Sequence, residues 1–315
     1  TTWAEWGRMF TNTAQWTAAV REICHRHGLP VQRVEAGYPG TNAVFVVDDT
    51  YVVKIYAPFC PEDFDLEREL YALLGLNPHL PVPQLIAQGV LEDQTRWPYI
   101  IIDFKPGVPI REVRAFIPRR NLERIAADLG EMVRELHRVP VASLTSLPHS
   151  RASWEAFVQR RQIEVADPAR WAGILPAPVV AEIPEFLASV LTEDEETPLA
   201  LLNGDLTEDH ILLEHHDGKW RISALIDFGD ALVGVRDYEW VALWFSGLER
   251  DYDGLTTFMA AYDPLLKLDD TFYRRAMAFT FLHEFGVDIL AFTLKALGQP
   301  QVTAIQELQA LLWEG

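Results

Sequence analysis

The chain reads as an α+β protein, β-rich to about residue 104 and mainly helical from there to residue 315. Three observations predict this. Runs of strand composition crowd the first hundred residues, at 31–36, 43–47, 51–56, 84–90 and 99–103, with a helical stretch among them. From Leu122 onward apolar residues recur at i, i+3, i+4 and i+7, the spacing of one helix face. The stretch 200–234 then interrupts the helical part with short apolar strands, and Asp205, His210 and Asp227 fall at their ends. Strand ends are where a rigid sheet aims polar groups at a ligand.

Length and composition set the outer bounds. A chain of 315 residues can bury one large core or two smaller ones. Charged residues are 23% and hydrophobic ones 49%, the balance of a soluble globular protein. No run of 18 apolar residues occurs, so no membrane-spanning helix is expected. The opening TTWAEWGRMF lacks a basic segment followed by an apolar core, which gives secretion no support. Cys24 and Cys60 lie in no metal-like or redox-like spacing and read as reduced thiols of a cytoplasmic protein. Lysine and arginine total 27 against 46 acidic residues, a net charge of −19. Such a field repels nucleic acid and anionic membranes and attracts a polyamine-like cation; simple solubility would explain it equally well. A monomer is expected.

In order along the chain, the first expected helix covers 13–27. Asn12 or Thr11 can cap it, Trp16, Val20 and Ile23 share a face, and Gly28 ends it. Strands 43–47 and 51–56 are joined by the tight Asp48-Asp49-Thr50 turn. The preceding loop, Gly37-Tyr38-Pro39-Gly40-Thr41-Asn42, has glycines that permit close backbone approach but does not match G-x-G-x-x-G. Lys54 lies between apolar neighbours in the third strand, and a lysine there either faces solvent or serves a site. A helix at 62–74 carries Glu67, Arg68 and Glu69, with Arg68 expected in solvent. Strands 84–90 and 99–103 flank a polar loop at 92–96, and Pro106-Gly107 marks a connection.

The helical part opens with a face traced by Leu122, Ile125, Leu129, Met132, Val133 and Leu136 and closed by Pro140. His137, in its last turn, suits a structural role. Helices are expected at 153–166 and 180–191, and the acidic run 193–196 reads as a solvated loop. Helices at 254–262, 270–285, 287–297 and 302–312 finish the chain, with Phe272, Phe279, Phe281, Phe285 and Phe292 expected in the core. Glu284 and Asp288, one helical turn apart, are either contacts for substrate ammonium groups or a solvated face.

The stretch 200–234 carries the chemistry. It reads as a strand at 200–202, a loop holding Asp205, a strand at 211–213, a turn at Asp217-Gly218, and a strand ending in Ile226 before Asp227. Phosphoryl transfer fits this layout. It needs a carboxylate to receive the proton of an attacking hydroxyl, and hard oxygen ligands that hold magnesium against nucleotide phosphates.

The wording Asn203-Gly204-Asp205-Leu206-Thr207-Glu208-Asp209-His210-Ile211, followed by Ile226-Asp227-Phe228-Gly229-Asp230, resembles the aminoglycoside phosphotransferase family. That family's loop runs H-G-D-(L/F)-x-x-x-N-(I/V), then I-D-(F/W/L). Glu67-Arg68-Glu69, Leu80-Pro81-Val82-Pro83, Leu136-His137-Arg138-Val139-Pro140 and the helix start 235–240 are similar to further stretches of its pattern. There are two departures: Asn203 stands where histidine is usual and His210 where asparagine is usual. Some members, the 2''-phosphotransferases among them, carry the same D-H-I-L as Asp209 to Leu212.

The resemblance implies a protein-kinase-like two-lobed fold, with a nucleotide-binding lobe at 1–104 and a catalytic and substrate-binding lobe at 105–315. It implies transfer of the γ-phosphate of ATP or GTP, with Mg2+, to a hydroxyl of a cationic substrate, most simply an aminoglycoside antibiotic, with drug resistance as the outcome. In that scheme Asp205 accepts the hydroxyl proton, and Asp227 with His210 holds the metal. Lys54 grips the nucleotide phosphates, oriented by Glu69, with Glu67 in reserve. Gly40, Thr41 and Asn42 cover the phosphates, and the backbone of Asp103, Phe104 and Lys105 meets the purine edge. Asp230, Glu239, Glu284 and Asp288 fall on the substrate side; Glu239 is also expected to brace the catalytic loop, with Asp237 capping its helix. Lys54, Asp205, His210 and Asp227 are expected around one triphosphate. Other acceptors, a macrolide or another metabolite, are open within the same chemistry. A degenerate nucleotide-binding module is the rival from a different class, favoured by Asn203 and His210. A protein kinase is disfavoured, since neither H-R-D nor A-P-E is present in the expected places.

Overall fold

The computed structural model describes residues 2–10, 12–38, 40–92, 95–191 and 197–314. The alternative cap Thr11, Pro39 of the glycine-bearing loop and the acidic run 193–196 lie outside the described residues. The chain gathers into two compact units. One comprises Thr1–Pro109, Leu144–Leu147 and Leu212–Gly229; the other comprises Ile110–Ser143, Pro148–Ile211 and Asp230–Gly315.

In chain order the first elements are α1 (Trp3–Met9), α2 (Thr13–Arg26), β1 (Val34–Ala36), β2 (Ala43–Val47), β3 (Tyr51–Ile55), α3 (Pro61–Leu74), β4 (Leu85–Glu92), β5 (Arg96–Asp103) and β6 (Val108–Pro109). Then come α4 (Ile110–Val113), α5 (Arg119–Leu136), α6 (Arg151–Val165), α7 (Ala177–Val190), β7 (Leu199–Leu202), β8 (Ile211–His216), β9 (Lys219–Leu225) and β10 (Leu232–Val235). The chain closes with α8 (Glu239–Ala242), α9 (Tyr252–Tyr262), α10 (Asp270–Leu282), α11 (Gly286–Ala296) and α12 (Ile305–Gln309).

In the first unit, β1-β2-β3-β5-β4 form an antiparallel sheet. Its hairpin between β2 and β3 turns through Asp48 and Asp49, both left-handed at φ 53° and 49°. Two positive φ values in succession match the twist of the flanking strands, as in a type I′ turn. Asp48 also accepts the amides of Gln32 and Arg33, which ties β1's approach to that turn. α1 is an addition to the expected elements. Thr2 and Glu5 close a capping box at its start, and Trp6 buries its ring beside Trp16 and Trp97 in the sheet's core. β6, β8 and β9 make a second sheet, its hairpin turning at Asp217 and Gly218.

In the second unit β7 and β10 pair antiparallel, Leu202 opposite Leu232. β10 is too short to stand out in the sequence. α5 buries the expected face, Ile125, Leu129, Val133 and Leu136, and packs on α9 where Gly130 meets the Phe258 carbonyl. A Cβ at Gly130 would collide there, so the glycine is what permits the approach. Trp313 stacks on Trp244 with centroids 5.5 Å apart and donates to Thr280 in α10. Three expectations are corrected here. The helix expected to reach 285 ends at Leu282, and the break turns Phe285 (37% exposed) and Phe292 (77% exposed) outward, while Phe272, Phe279 and Phe281 stay in the core. Asp237 caps no helix: both its carboxylate oxygens take Arg275, at 2.8 and 3.1 Å. Among the described residues no single helix is long and apolar enough to cross a membrane.

Candidate active site

Lys54 is the penultimate residue of β3, opposite Val44 on β2 and Ile100 on β5. Its ammonium lies 2.5 Å from Oε1 of Glu67 and 3.2 Å from Oδ1 of Asp227. The Tyr56 hydroxyl donates to the other Glu67 oxygen at 2.9 Å, so both oxygens of this fully buried carboxylate are engaged. Burial by itself lowers the Lys54 pKa, but Asp227 and Glu67 outweigh it and the net shift is upward. Burial pushes the Glu67 carboxyl up to about 7, against the pull of Lys54. The lysine's direction decides the charge state: a buried ammonium flanked by two carboxylates stays protonated at neutral pH.

Glu67, the reserve candidate, is therefore the partner, and the expectation for Glu69 is corrected. Residues two apart on a helix point about 200° apart, so one of the two must turn from the strand lysine. Glu69 turns to the segment 144–147. It accepts the Thr145 amide (2.8 Å) and hydroxyl (2.5 Å) and the Ser146 amide (2.9 Å) and hydroxyl (2.8 Å). Loss of solvation acts upward, yet these bonds hold its pKa down at about 2. Arg68 is not simply solvated: it lies over the Phe64 ring and pairs with Asp65 at 3.1 Å.

Asp227 follows β9 with φ +58°, a left-handed conformation that costs a non-glycine residue of the order of 1 kcal/mol or more and collects at functional sites. The Gly229 amide donates to its Oδ1 at 3.2 Å. A Cβ at Gly229 would lie 3.0 Å from Glu67 Oε1, so the glycine makes room for the carboxylates around Lys54. Phe228 is buried edge-on to Tyr71, which fixes the segment, while 41% of the Asp227 side chain stays exposed.

The expected nucleotide-contact residues separate into two groups. Gly40 and Thr41 are exposed, and the Thr41 carbonyl accepts the Trp6 indole N–H at 2.7 Å. Asn42 is 8% exposed, as closely buried as Lys54. The amides of Asp103 and Phe104 donate to the Gln84 and Thr50 carbonyls, at 3.1 and 2.9 Å, which takes both from the donors expected for a purine edge. The Asp103 carboxylate holds the Lys105 ammonium at 2.8 Å.

The second unit holds the Asp205 loop, which leaves β7. Asn203 is buried; its amide donates to Glu239 at 2.8 Å and its side-chain oxygen accepts the Asp205 amide at 3.1 Å. Gly204 has φ +80°, and a Cβ there would strike the Asp230 carbonyl. The loop therefore turns on a residue that only glycine suits. His210 approaches the Asp205 carbonyl with Nδ1 at 2.7 Å, and the Asp205 carboxylate at 3.5 Å. A carbonyl can only accept, so Nδ1 carries the proton and a neutral ring has its lone pair on Nε2, the atom that can ligate a metal.

Glu239 is 1% exposed and is corrected from a substrate contact to a brace: its Oε2 accepts the Asn203 amide at 2.8 Å, and His137 Nε2 lies 3.6 Å from the same oxygen, beyond hydrogen-bond reach. Asp230, Glu284 and Asp288 are exposed, and Glu284 lies 3.4 Å from Arg160. Sequence reasoning missed His283, which is fully buried with Nε2 3.1 Å from the Gly204 carbonyl. A lone histidine at a helix end gives no signal of its own. Among the described residues no group of three or more His, Cys, Asp or Glu is gathered for a metal. Magnesium is commonly held by one or two carboxylates together with substrate phosphates, and the exposed carboxylate of Asp227 fits that use.

The model of the phosphotransferase enzyme family matches residues 30–279. An aminoglycoside 3'-phosphotransferase of Streptomyces fradiae is 28% identical over 207 residues, 62% of this chain and 70% of that protein. Lysine-specific demethylase JMJ21 of Arabidopsis thaliana is 21% identical over 366 residues, 81% of this chain but 38% of that protein; the chain thus spans under two-fifths of this relative. Among solved structures, the GDP and kanamycin complex of APH(2")-IIia superposes with a TM-score of 0.68 at 22% identity, covering 94% of this chain and 97% of that one. Likeness at that identity concerns the fold, and it bears out the expected kinase-like α+β class.

Proposed function

The chain belongs to the phosphotransferase enzyme family, and on that premise we propose that it transfers the γ-phosphate of ATP or GTP to a hydroxyl of a cationic small molecule, an aminoglycoside first. The observation that carries this reading is the buried Lys54 ammonium shared by Glu67 and Asp227. A protonated lysine fixed on a strand, beside a carboxylate left partly exposed, is what gripping a metal-bound triphosphate requires. The Streptomyces fradiae relative and the GDP and kanamycin complex support the nucleotide and the substrate class.

In this reading Lys54 binds phosphate oxygens and Glu67 keeps it in place. Asp205 orients the acceptor hydroxyl and takes its proton, and the loop built on Asn203, Gly204 and Glu239 holds that carboxylate still. By the family resemblance Asp227 and His210 would hold Mg2+, which when bound would neutralise charge developing on the phosphates. Exposed Asp230, Glu284 and Asp288 attract ammonium groups, and the net charge of −19 steers cations toward the protein. We place the enzyme in the cytoplasm as a monomer, with antibiotic resistance as its consequence.

The second reading, nucleotide binding without turnover, is favoured by one observation: an imidazole, His210, stands where a hard oxygen donor is usual, and imidazole is the poorer partner for magnesium. Incubating the protein with ATP or GTP, Mg2+ and kanamycin, and following the mass of the drug, tests both. A gain of one phosphoryl group supports transfer. Nucleotide binding with no product on kanamycin or any other cationic hydroxyl compound of a panel sinks it in favour of the binding module.

A further inference from the structure

We infer that His283 is a positioning residue for the catalytic loop: its ring holds the Gly204 carbonyl and thereby sets the peptide that leads into Asp205. The inference rests on the proposed role of Asp205, and it adds a residue from a distant part of the chain.

The ring is fixed on every side. It has no exposed surface and stacks on Tyr238, centroids 4.4 Å apart and planes 20° from parallel. The Phe285 amide donates to Nδ1 at 3.2 Å, so that nitrogen is the acceptor and Nε2 bears the hydrogen. Nε2 in turn donates to the Gly204 carbonyl at 3.1 Å. The tautomer is thus set by the residue's own turn. Burial, helped by the nearby Arg161 and opposed by the Gly204 bond, lowers the ring's pKa to about 3, so it stays neutral. The main chain around it is pinned as well. Buried Arg161 donates to the Leu282 and His283 carbonyls at 2.8 and 2.7 Å, and the Glu284 amide donates to the Tyr238 hydroxyl at 3.1 Å.

That rigidity matters because of what Gly204 does. Its left-handed φ of +80° turns the peptide between β7 and Asp205, and its carbonyl is the last main-chain acceptor before the carboxylate. A carbonyl at this depth needs a donor, since an unpaired buried one costs as much as a lost hydrogen bond. His283 supplies it from the end of α10, so the catalytic loop is held from the Asn203 side by Glu239 and from the Gly204 side by an imidazole. The same turn carries exposed Glu284 onward to α11. Loop geometry and one candidate substrate carboxylate are therefore referred to a single rigid break in the chain.

The test uses the full chain with His283→Leu, which removes the donor, and His283→Gln, whose side-chain amide can still reach the carbonyl. For transfer from ATP or GTP to kanamycin, His283→Leu is expected to lower kcat at least tenfold with the nucleotide KM within about twofold, and His283→Gln is expected to recover most of it. The 13C shift of the Gly204 carbonyl, which needs no turnover, is expected to move in the leucine variant and stay near wild type in the glutamine one. Wild-type kcat in His283→Leu, equal losses in both variants tracking a common fall in Tm, or an unmoved Gly204 shift would each overturn the inference. If the wild type transfers nothing, the proposed function fails, and the carbonyl shift alone decides whether His283 holds the loop.

Discussion

The Lys54 ammonium is divided between two carboxylates of opposite character: Glu67, 2.5 Å away with no exposed surface, and Asp227, 3.2 Å away with 41% of its side chain open. One anchors the cation inside the fold. The other leads from it toward solvent, where a ligand can arrive.

Glu67→Gln tests the anchor. It leaves a buried ammonium with less compensation, and removing one member of a buried pair costs about 3–5 kcal/mol. The expected result is a clear fall in Tm with a several-fold rise in nucleotide KM. A Tm within a degree of wild type would mean the pair contributes nothing.

Asp205→Ala tests the proton acceptor. General-base catalysis contributes roughly 10²–10⁴-fold, so turnover should drop at least a hundredfold while calorimetric nucleotide affinity stays within about twofold. Turnover near the wild-type rate removes Asp205 from the mechanism.

Asp227→Asn tests the exposed carboxylate. The variant should need a higher Mg2+ concentration for half-maximal turnover, and EDTA should abolish transfer by the wild type reversibly. A Mg2+ dependence unchanged by the substitution would take the metal away from Asp227.

Glu69→Gln carries a signed pH dependence. The folded carboxyl titrates at about 2 against an ordinary 4.5, so its stabilisation is complete above pH 4.5 and is lost as pH falls toward 2. Hydrogen bonds to a charged group contribute about 1.5–3 kcal/mol. Denaturant unfolding at pH 7 should show a deficit of that order, shrinking as pH is lowered to 3. A deficit independent of pH would show that the carboxylate's charge plays no part.

Much of this was legible in the sequence because it rests on local rules. A β-rich apolar run on both sides of Lys54 marks a strand, the Asp48-Asp49 pair marks a hairpin, and the Asp205 loop and Asp227 fall at strand ends. The choice between Glu67 and Glu69 was not legible, because motif wording does not say which of two helix faces meets a strand. The sequence signal for α1 is short, Thr2 and Glu5 in capping-box spacing ahead of a single two-turn helix. His283 and the Asp237–Arg275 pair depend on contacts between residues 79 and 38 positions apart, and no periodicity encodes such contacts.

The indole of Trp6 reaches across 35 positions of sequence to the Thr41 carbonyl while its ring lies against Trp97. The approach to β2 is thereby moored at Thr41 to an aromatic cluster. Shortening the chain past α1 would therefore do more than thin the core. It would also release the Thr41 carbonyl, and in the proposed reading any loosening of nucleotide retention would trace to the loss of Trp6.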